Sequence, residues 1–356
     1  MTKAESKFSE QILQWYDLHR RILPWRTHRT AYTTWVSEVM LQQTQVNTVI
    51  PYFHRFLDAF PDIETLSRAR PEHVHKLWEG LGYYSRATNL QRGALYCVEN
   101  FNRQIPTTRK DLLKIPGIGP YIAGAILSMV FNQKEPAIDG NMIRVFSRYY
   151  ARPMEMGTST SIRTGYDLAL DVLSDERPGD FNEAMMDLGA TICTPKSPSC
   201  DICPFSISCQ AHMLGIQGDL PLRKKTKKIP CVDLSVCVLV RGNQIYLKKR
   251  PPNGLLAGLF EYLLIPEHQD KEKIVSYLKE HLKIPPEIIK EIRNLPSSPF
   301  RFSHLEWNMR GFWIELYKEK TDTPSEMTLS DHPNIGAFYS TDIIHELAFP
   351  TALDTY

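Results

Sequence analysis

Along roughly the first 220 residues, apolar side chains recur at helical spacing. Phe8, Ile12, Leu13 and Tyr16 share one face, and Trp35, Val36, Val39, Met40, Val46, Val49 and Ile50 continue the pattern. Tyr121, Ile122, Ala125, Ile126 and Met129 form a further helical stripe. Prolines at positions 51, 61, 71, 106, 116, 120 and 136 are read as punctuation between these segments. From Val232 the texture changes. VDLSVCVLV (232–240), the tight turn Arg241-Gly242-Asn243 and QIYLKKR (244–250) read as a strand, a turn and an alternating strand. FEYLLI (260–265) and MRGFWIELYK (309–318) continue the strand pattern, with one helix-like stretch, KEKIVSYLKEHL (271–282), between them. The pattern predicts a multi-domain chain: an all-α region over 1–222, a basic linker over 223–230, and an α+β domain over 231–356. The linker, with five basic residues between Arg223 and Lys228, reads equally as a solvated tether and as a phosphate contact.

A length of 356 residues agrees with about two domains, and 42% hydrophobic with 23% charged residues is ordinary globular composition. No uninterrupted apolar run follows a basic start at the N-terminus, so no signal peptide is expected. No run of about 18 apolar residues is present either, so no membrane span is expected and a cytoplasmic setting is the natural reading. The net charge of +2 neither demands nor excludes nucleic acid.

Composition matters most at the cysteines. Cys193, Cys200, Cys203 and Cys209 are spaced C-x6-C-x2-C-x5-C in a segment broken by three prolines and four serines. Four thiolates on a short irregular segment can turn inward around a metal, as a four-cysteine zinc site or a cubane iron–sulfur cluster. Zinc sites favour two short knuckles, and only Cys200 and Cys203 make one, so the unequal spacing favours a four-iron [4Fe-4S] cluster. A disulfide framework has no support from a secretory context. Cys97, Cys231 and Cys237 lack metal spacing and read as small core residues.

Two further segments carry candidate chemistry. Leu112 to Tyr121 contains Pro116-Gly117-Ile118-Gly119-Pro120 between two helix-like stretches. A Gly-x-Gly turn there would expose backbone N–H groups at the start of the second helix. Gly117 and Gly119 are thereby candidate DNA phosphate contacts that need no basic side chain. Twenty residues beyond Gly119 lies Asp139, followed by Gly140 and Asn141; by itself it reads equally well as a helix N-cap.

The order of hairpin, helix, acidic residue and four-cysteine loop resembles the helix-hairpin-helix DNA glycosylases of the endonuclease III superfamily over roughly residues 8–220. Within that superfamily the chain is similar to the MutY family of adenine DNA glycosylases. The likeness rests on Leu23-Pro24-Trp25-Arg26 with Trp35 to Thr44, on Trp78 to Arg86, on Tyr121 where bifunctional relatives carry a Schiff-base lysine, and on a C-terminal domain with Phe302-Ser303-His304. It implies a monofunctional enzyme that hydrolyses the N-glycosidic bond of adenine opposite 8-oxoguanine or guanine in duplex DNA and so initiates base excision repair. It also implies a monomer, with other repair proteins as possible partners. By this resemblance Glu38 protonates N7 of the extruded adenine, and Asp139 stabilises the sugar cation or bonds transiently to its C1′. Tyr121 packs against the sugar and Asp139, and Asn141 supports that carboxylate. An apolar setting would hold Glu38 protonated near neutrality. The same likeness implies that Arg26 and Glu183 line the adenine pocket and that Gln43 and Tyr83 enter the base stack. Leu81 and Thr44 would lie near the opposite base, and Phe302, Ser303 and His304 would meet the oxidised base.

The C-terminal domain resembles a Nudix (MutT-like) fold, but KEKIVSYLKEHL lacks the paired carboxylates that hold magnesium in Nudix hydrolases. It is therefore read as a lesion sensor. A bifunctional lyase acting on oxidised pyrimidines is disfavoured because Tyr121 cannot form a Schiff base. A non-catalytic damage-binding protein would not need both Glu38 and Asp139.

Overall fold

The apolar stripes of the first region are buried as helix faces. Phe8, Ile12, Leu13 and Tyr16 lie in one core with Phe146, Phe181 and Phe205, and Phe8 stacks on Phe205 at 4.4 Å between ring centres. The computed structural model describes residues 3–222, 228–317 and 336–356. Of the expected basic linker, residues 223–227 lie outside the described residues, as does Lys318 at the end of the last expected strand. The chain forms two units, Met1–Arg68 with Asn89–Thr226, and Ala69–Thr88 with Lys227–Tyr356.

The helices in chain order are α1 (Lys3–His19), α2 (Pro24–Thr27), α3 (Ala31–Leu41), α4 (Val46–Ala59), α5 (Ile63–Arg68), α6 (Pro71–Trp78), α7 (Ser85–Asn100), α8 (Arg109–Leu112), α9 (Pro120–Met129), α10 (Gly140–Tyr149), α11 (Ser159–Val172), α12 (Pro178–Thr191) and α13 (Gln210–Met213). Their starts follow local chemistry. Thr30 and Thr33 form a reciprocal capping box on α3, and Thr108 caps α8. Prolines occupy the first turns of α2, α6, α9 and α12, where the missing N–H costs nothing. Pro51 departs from the punctuation expected of it and lies inside α4. The buried face of Val49, Phe53 and Phe56 holds that helix together across the lost hydrogen bond.

In the second unit the strands are β1 (Cys231–Arg241), β2 (Gln244–Lys249), β3 (Phe260–Glu261), β4 (Leu263–Pro266), β5 (Ile289–Arg301), β6 (Glu306–Leu316) and β7 (Ala337–Ser340), with α14 (Lys271–His281) between β4 and β5. Among the described residues they run in the order β3-β2-β1-β6-β5, with β4 also pairing with β1 and β7 with β2. Among the described strands of this unit, β1 and β6 pair in parallel and the other pairs are antiparallel. β2 was expected to alternate, yet Ile245, Tyr246 and Leu247 are all buried. Tyr246 faces the cluster containing Ile274 and Leu278 of α14, whereas Ile245 and Leu247 face another containing Leu347. Covering both faces removes the polar side that alternation presupposes. The expected strand 260–265 is interrupted at Tyr262, and β5 and β7 are additions to the sequence-based reading. Cys97 and Cys237 are buried as expected, but Cys231 is exposed at the first residue of β1. No helix among the described residues is long and apolar enough to cross a membrane.

Candidate active site

A cavity of about 1170 Å³ in the first unit is lined by Arg26, Glu38, Gln43, Thr44, Tyr121, Asp139, Asn141 and Glu183. These are all the expected catalytic and substrate-contacting side chains of that unit. They come from α2, α3, the turn after α3, α9, the start of α10, and α12.

Glu38 is 5% exposed on α3, in a run of buried residues from Thr34 to Met40. Burial raises its pKa to about 7. The hydrogen bond from the Tyr121 hydroxyl to Glu38 Oε2 opposes that shift, and the negative charges of Glu183 and Asp139 add to it. Tyr121 itself is pushed upward, chiefly by burial and then by the charge of Glu38. The phenol therefore keeps its proton and donates to the carboxyl group, which is itself protonated in a large fraction of molecules near neutral pH.

Asp139 is the N-cap that the sequence allowed, and it also faces the cavity. Its Oδ1 accepts from the backbone N–H of Met142 at 2.8 Å, capping α10, and its Oδ2 accepts from Asn141 Nδ2 at 2.6 Å. Burial raises its pKa, and hydrogen bonds from Met142 and Asn141 pull the other way. The positive end of α10 also favours the carboxylate. The loop leading to Asp139 is braced by Asn182 of α12, which accepts from Ala137 N and donates to the Glu135 carbonyl.

Asn141 is in turn fixed from behind. Arg144 Nη2 donates to Asn141 Oδ1 and to the Gly189 carbonyl, each at 2.7 Å. Gly189 is needed for this packing, because a Cβ there would stand 2.5 Å from Asn141 Cβ.

Arg26 and Glu183 form part of a charge network that the sequence reading did not complete. Arg26 donates to Asp187 through Nη1 at 2.8 Å and Nη2 at 3.1 Å, and through Nε to Glu183 at 3.1 Å. Arg29 and Tyr16 also donate to Glu183, at 2.7 and 2.6 Å. Burial alone would raise the pKa of Asp187, but its hydrogen bonds with Arg26, and then Arg21, hold it below the usual range. Asp187 lies one turn beyond Glu183 on α12, and that i,i+4 relation was the sequence signal that could have found it.

At the hairpin, Gly117 has a φ of +84°, which glycine alone adopts without strain. Gly119 is extended and caps α9, and space is open where its Cβ would be, which leaves room for close backbone approach. Ile115 and Ile118 anchor the turn in the core. The two expected wedge residues share an uncommon conformation, with φ of 57° at Gln43 and 46° at Tyr83, and both are exposed.

Leu81, Tyr83 and the Phe302–His304 tripeptide belong to the second unit. Leu81 is buried, so of that pair only Tyr83 is presented to solvent. Arg86 holds their loop by donating to the carbonyls of Leu81 and Gly82. Phe302 packs edge-on against Phe300 and Trp307. Ser303 and His304 are exposed at the β5–β6 connection, which closes through a hydrogen bond from Phe302 N to the Leu305 carbonyl at 2.8 Å.

Cys193, Cys200, Cys203 and Cys209 are free thiols lining one further cavity of about 30 Å³ in the first unit. Among the described residues, no group of three or more His, Cys, Asp and Glu side chains is drawn together as a site for a single metal ion. Arg148 Nη1 donates to Cys193 Sγ at 3.3 Å. Burial, followed by the charge of neighbouring thiolates, raises Cys200; at Cys203 burial leads too, and the thiol reaches about 12. A cationic group shared by all four sulfurs would relieve that repulsion, so the donor set suits a cluster.

The cavity, the hairpin and the buried acid define a helix-hairpin-helix DNA glycosylase, and comparison with known proteins agrees. The HhH-GPD superfamily base excision DNA repair protein model matches residues 36–162, and a NUDIX domain model matches residues 235–356. A solved thermostable thymine-DNA glycosylase is 26% identical with a TM-score of 0.55, covering 60% of this chain and 99% of that one. The adenine DNA glycosylase of Rattus norvegicus is 35% identical, over 90% of this chain and 72% of that protein. That of Buchnera aphidicola subsp. Schizaphis graminum is also 35% identical, over 96% and 95%. The chain belongs to the adenine DNA glycosylase family.

Proposed function

We propose that this enzyme hydrolyses the N-glycosidic bond of adenine lying opposite 8-oxoguanine or guanine in duplex DNA. The observation that carries the reading is the placement of Glu38, buried and with a pKa of about 7, in one cavity with Asp139. Adenine leaves poorly until protonated, so its departure calls for an acid that keeps its proton near neutral pH. Glu38 is that acid and delivers the proton to N7 of the extruded base. The departing base leaves positive charge on the sugar, which calls for a fixed anion. Asp139 supplies it, its carboxylate favoured by Met142 N and Asn141 Nδ2, until water adds at C1′ and releases a proton to complete the hydrolysis. Two carboxyl groups thus divide the work by environment, as in glycoside hydrolysis.

Extruding the base costs roughly a few kcal/mol. Gln43 and Tyr83 are suited to occupy the stack, their exposed side chains held on left-handed backbone. Gly117 and Gly119 contact backbone phosphate at the start of α9. Ser303 and His304 offer exposed hydrogen-bonding groups to the lesion strand, and Phe302 anchors the loop that carries them. Cys193, Cys200, Cys203 and Cys209 hold a [4Fe-4S] cluster that, when bound, cross-links a proline-rich segment lacking long helices of its own.

The test is a base-release assay on duplexes carrying adenine opposite 8-oxoguanine, G, C or T, with strand breaks scored before and after alkali. Release opposite 8-oxoguanine and G, with breaks appearing only after alkali, is expected. Breaks without alkali, or release from A·T pairs at an equal rate, would overturn the reading.

A further inference from the structure

We propose that His212 and Gln217 are hydrogen-bond donors to the iron–sulfur cluster, supplementing Arg148 and the local backbone. The inference rests on the reading that the four cysteines hold that cluster. His212 Nδ1 and Gln217 Oε1 are buried atoms without a hydrogen-bond partner among the described residues. Both residues line the cavity formed by Cys193, Cys200, Cys203 and Cys209. Buried polar groups are nearly always paired, because an unpaired one has lost its water without gaining a partner. Two such atoms around one small cavity indicate that their partner belongs in it.

The sign of the interaction follows from what the cavity holds. Four cysteine sulfurs and bridging sulfides are acceptors, so each facing group must donate. His212 meets that demand with its proton on Nδ1. Gln217 meets it with the amide turned over, which exchanges Oε1 for the Nε2 hydrogens and fits the same side-chain shape. An oxygen held toward negative sulfur would be doubly unfavourable, unpaired and repelled.

The chain holds both residues in place. His212 lies on α13, directly after Cys209, and its backbone N–H also points to the Cys209 sulfur. Gln217 lies in a turn closed by hydrogen bonds from Ile216 N to the Ala211 carbonyl and from Asp219 N to the Ile216 carbonyl. Arg148 already donates to Cys193 Sγ from the opposite helix, α10. The cluster is therefore surrounded by donors, and donors to sulfur stabilise its more negative, reduced state.

The experiment uses the iron-loaded full chain. Iron content and the visible charge-transfer absorption are measured first, and a chain without iron overturns the cluster reading itself. With iron present, the one-electron potential is measured for the parent, His212→Phe and Gln217→Met, each of which keeps the volume and removes the donor. Each variant should lower the reduced-to-oxidised ratio at fixed potential by about tenfold, a shift of about 59 mV. Iron-loaded variants with the parent's potential would overturn the proposal and leave the cluster reading intact. Should His212→Phe fail to load, the parent with histidine labelled with ¹⁵N in the ring alone, its cluster brought to a paramagnetic oxidation state, replaces it. A resolved ¹⁵N coupling to the paramagnetic cluster supports the His212 bond, and its absence refutes it. Glutamine labelled with ¹⁵N in the side-chain amide does the same for Gln217→Met, with the same two outcomes.

Discussion

Arg144 Nε donates to the Cys193 carbonyl oxygen at 2.7 Å. The same guanidinium holds Asn141, which holds Asp139. One side chain thus links the backbone of the cysteine segment to the Asp139 carboxyl group in the cavity. Arg144→Met should lower adenine release by at least tenfold in single turnover. It should also lower Tm by several degrees, because each buried acceptor left unpaired costs about 1–3 kcal/mol. A variant equal to the parent in both measurements would show that the link is incidental.

Replacing Glu38 with Gln keeps the shape of the side chain and removes the transferable proton. Adenine release should fall by at least ~10²-fold, the lower end of general acid–base contributions. Binding to the mispaired duplex, read by gel shift, should survive. Near-normal turnover in the purified variant would remove Glu38 from the mechanism.

The pKa of about 7 at Glu38 has two pH signatures. Release should decline as pH rises above about 7, because the acid form is lost. Stability should decline between about 4.5 and 7, because over that range the native state binds the proton that the unfolded chain has released. The shift corresponds to roughly 3 kcal/mol at most. Glu38→Gln removes the penalty, so its thermal stability relative to the parent should improve from pH 5 to pH 8. An unchanged difference across that range would mean that Glu38 is not held protonated.

Asp139→Asn separates capping from catalysis. Asparagine caps helices about as well as aspartate, so Tm should shift by only a few degrees. Release should fall by about 10²–10³-fold as the sugar cation loses its counter-charge. Large unfolding with proportionate loss of activity would instead make Asp139 chiefly a structural cap.

The tripeptide after β5 predicts a divided response. Ser303→Ala with His304→Ala should leave stability near the parent's, since both side chains are exposed. The preference for adenine opposite 8-oxoguanine over adenine opposite G should drop roughly ten- to a hundredfold, equivalent to about 1–3 kcal/mol. Phe302→Ala should cost stability instead, because its ring packs on Phe300 and Trp307. Unaltered preference in the double variant would move lesion reading to Gln43 and Thr44.

Local pattern sufficed for much of this protein. The helical stripes, the capping position of Asp139, the glycine turn at 117–119 and the four-cysteine spacing are short-range signals written by backbone geometry and side-chain type. Glu38 is a different case, since periodicity places it on α3 but does not show that both its faces are covered. Only the packed helices reveal its burial, and burial is what raises its pKa. Pairing across long separations was equally hidden. Arg26 meets Asp187, and Arg144 meets the Cys193 carbonyl, only after α2, α10 and α12 are assembled. β2 lost its alternation for the same reason, because coverage of both faces depends on segments distant in sequence. The sequence by itself singled out the candidate side chains Glu38, Tyr121, Asp139 and the four cysteines. Tertiary structure decided their protonation and their partners, because both depend on desolvation and on contacts that no local window contains.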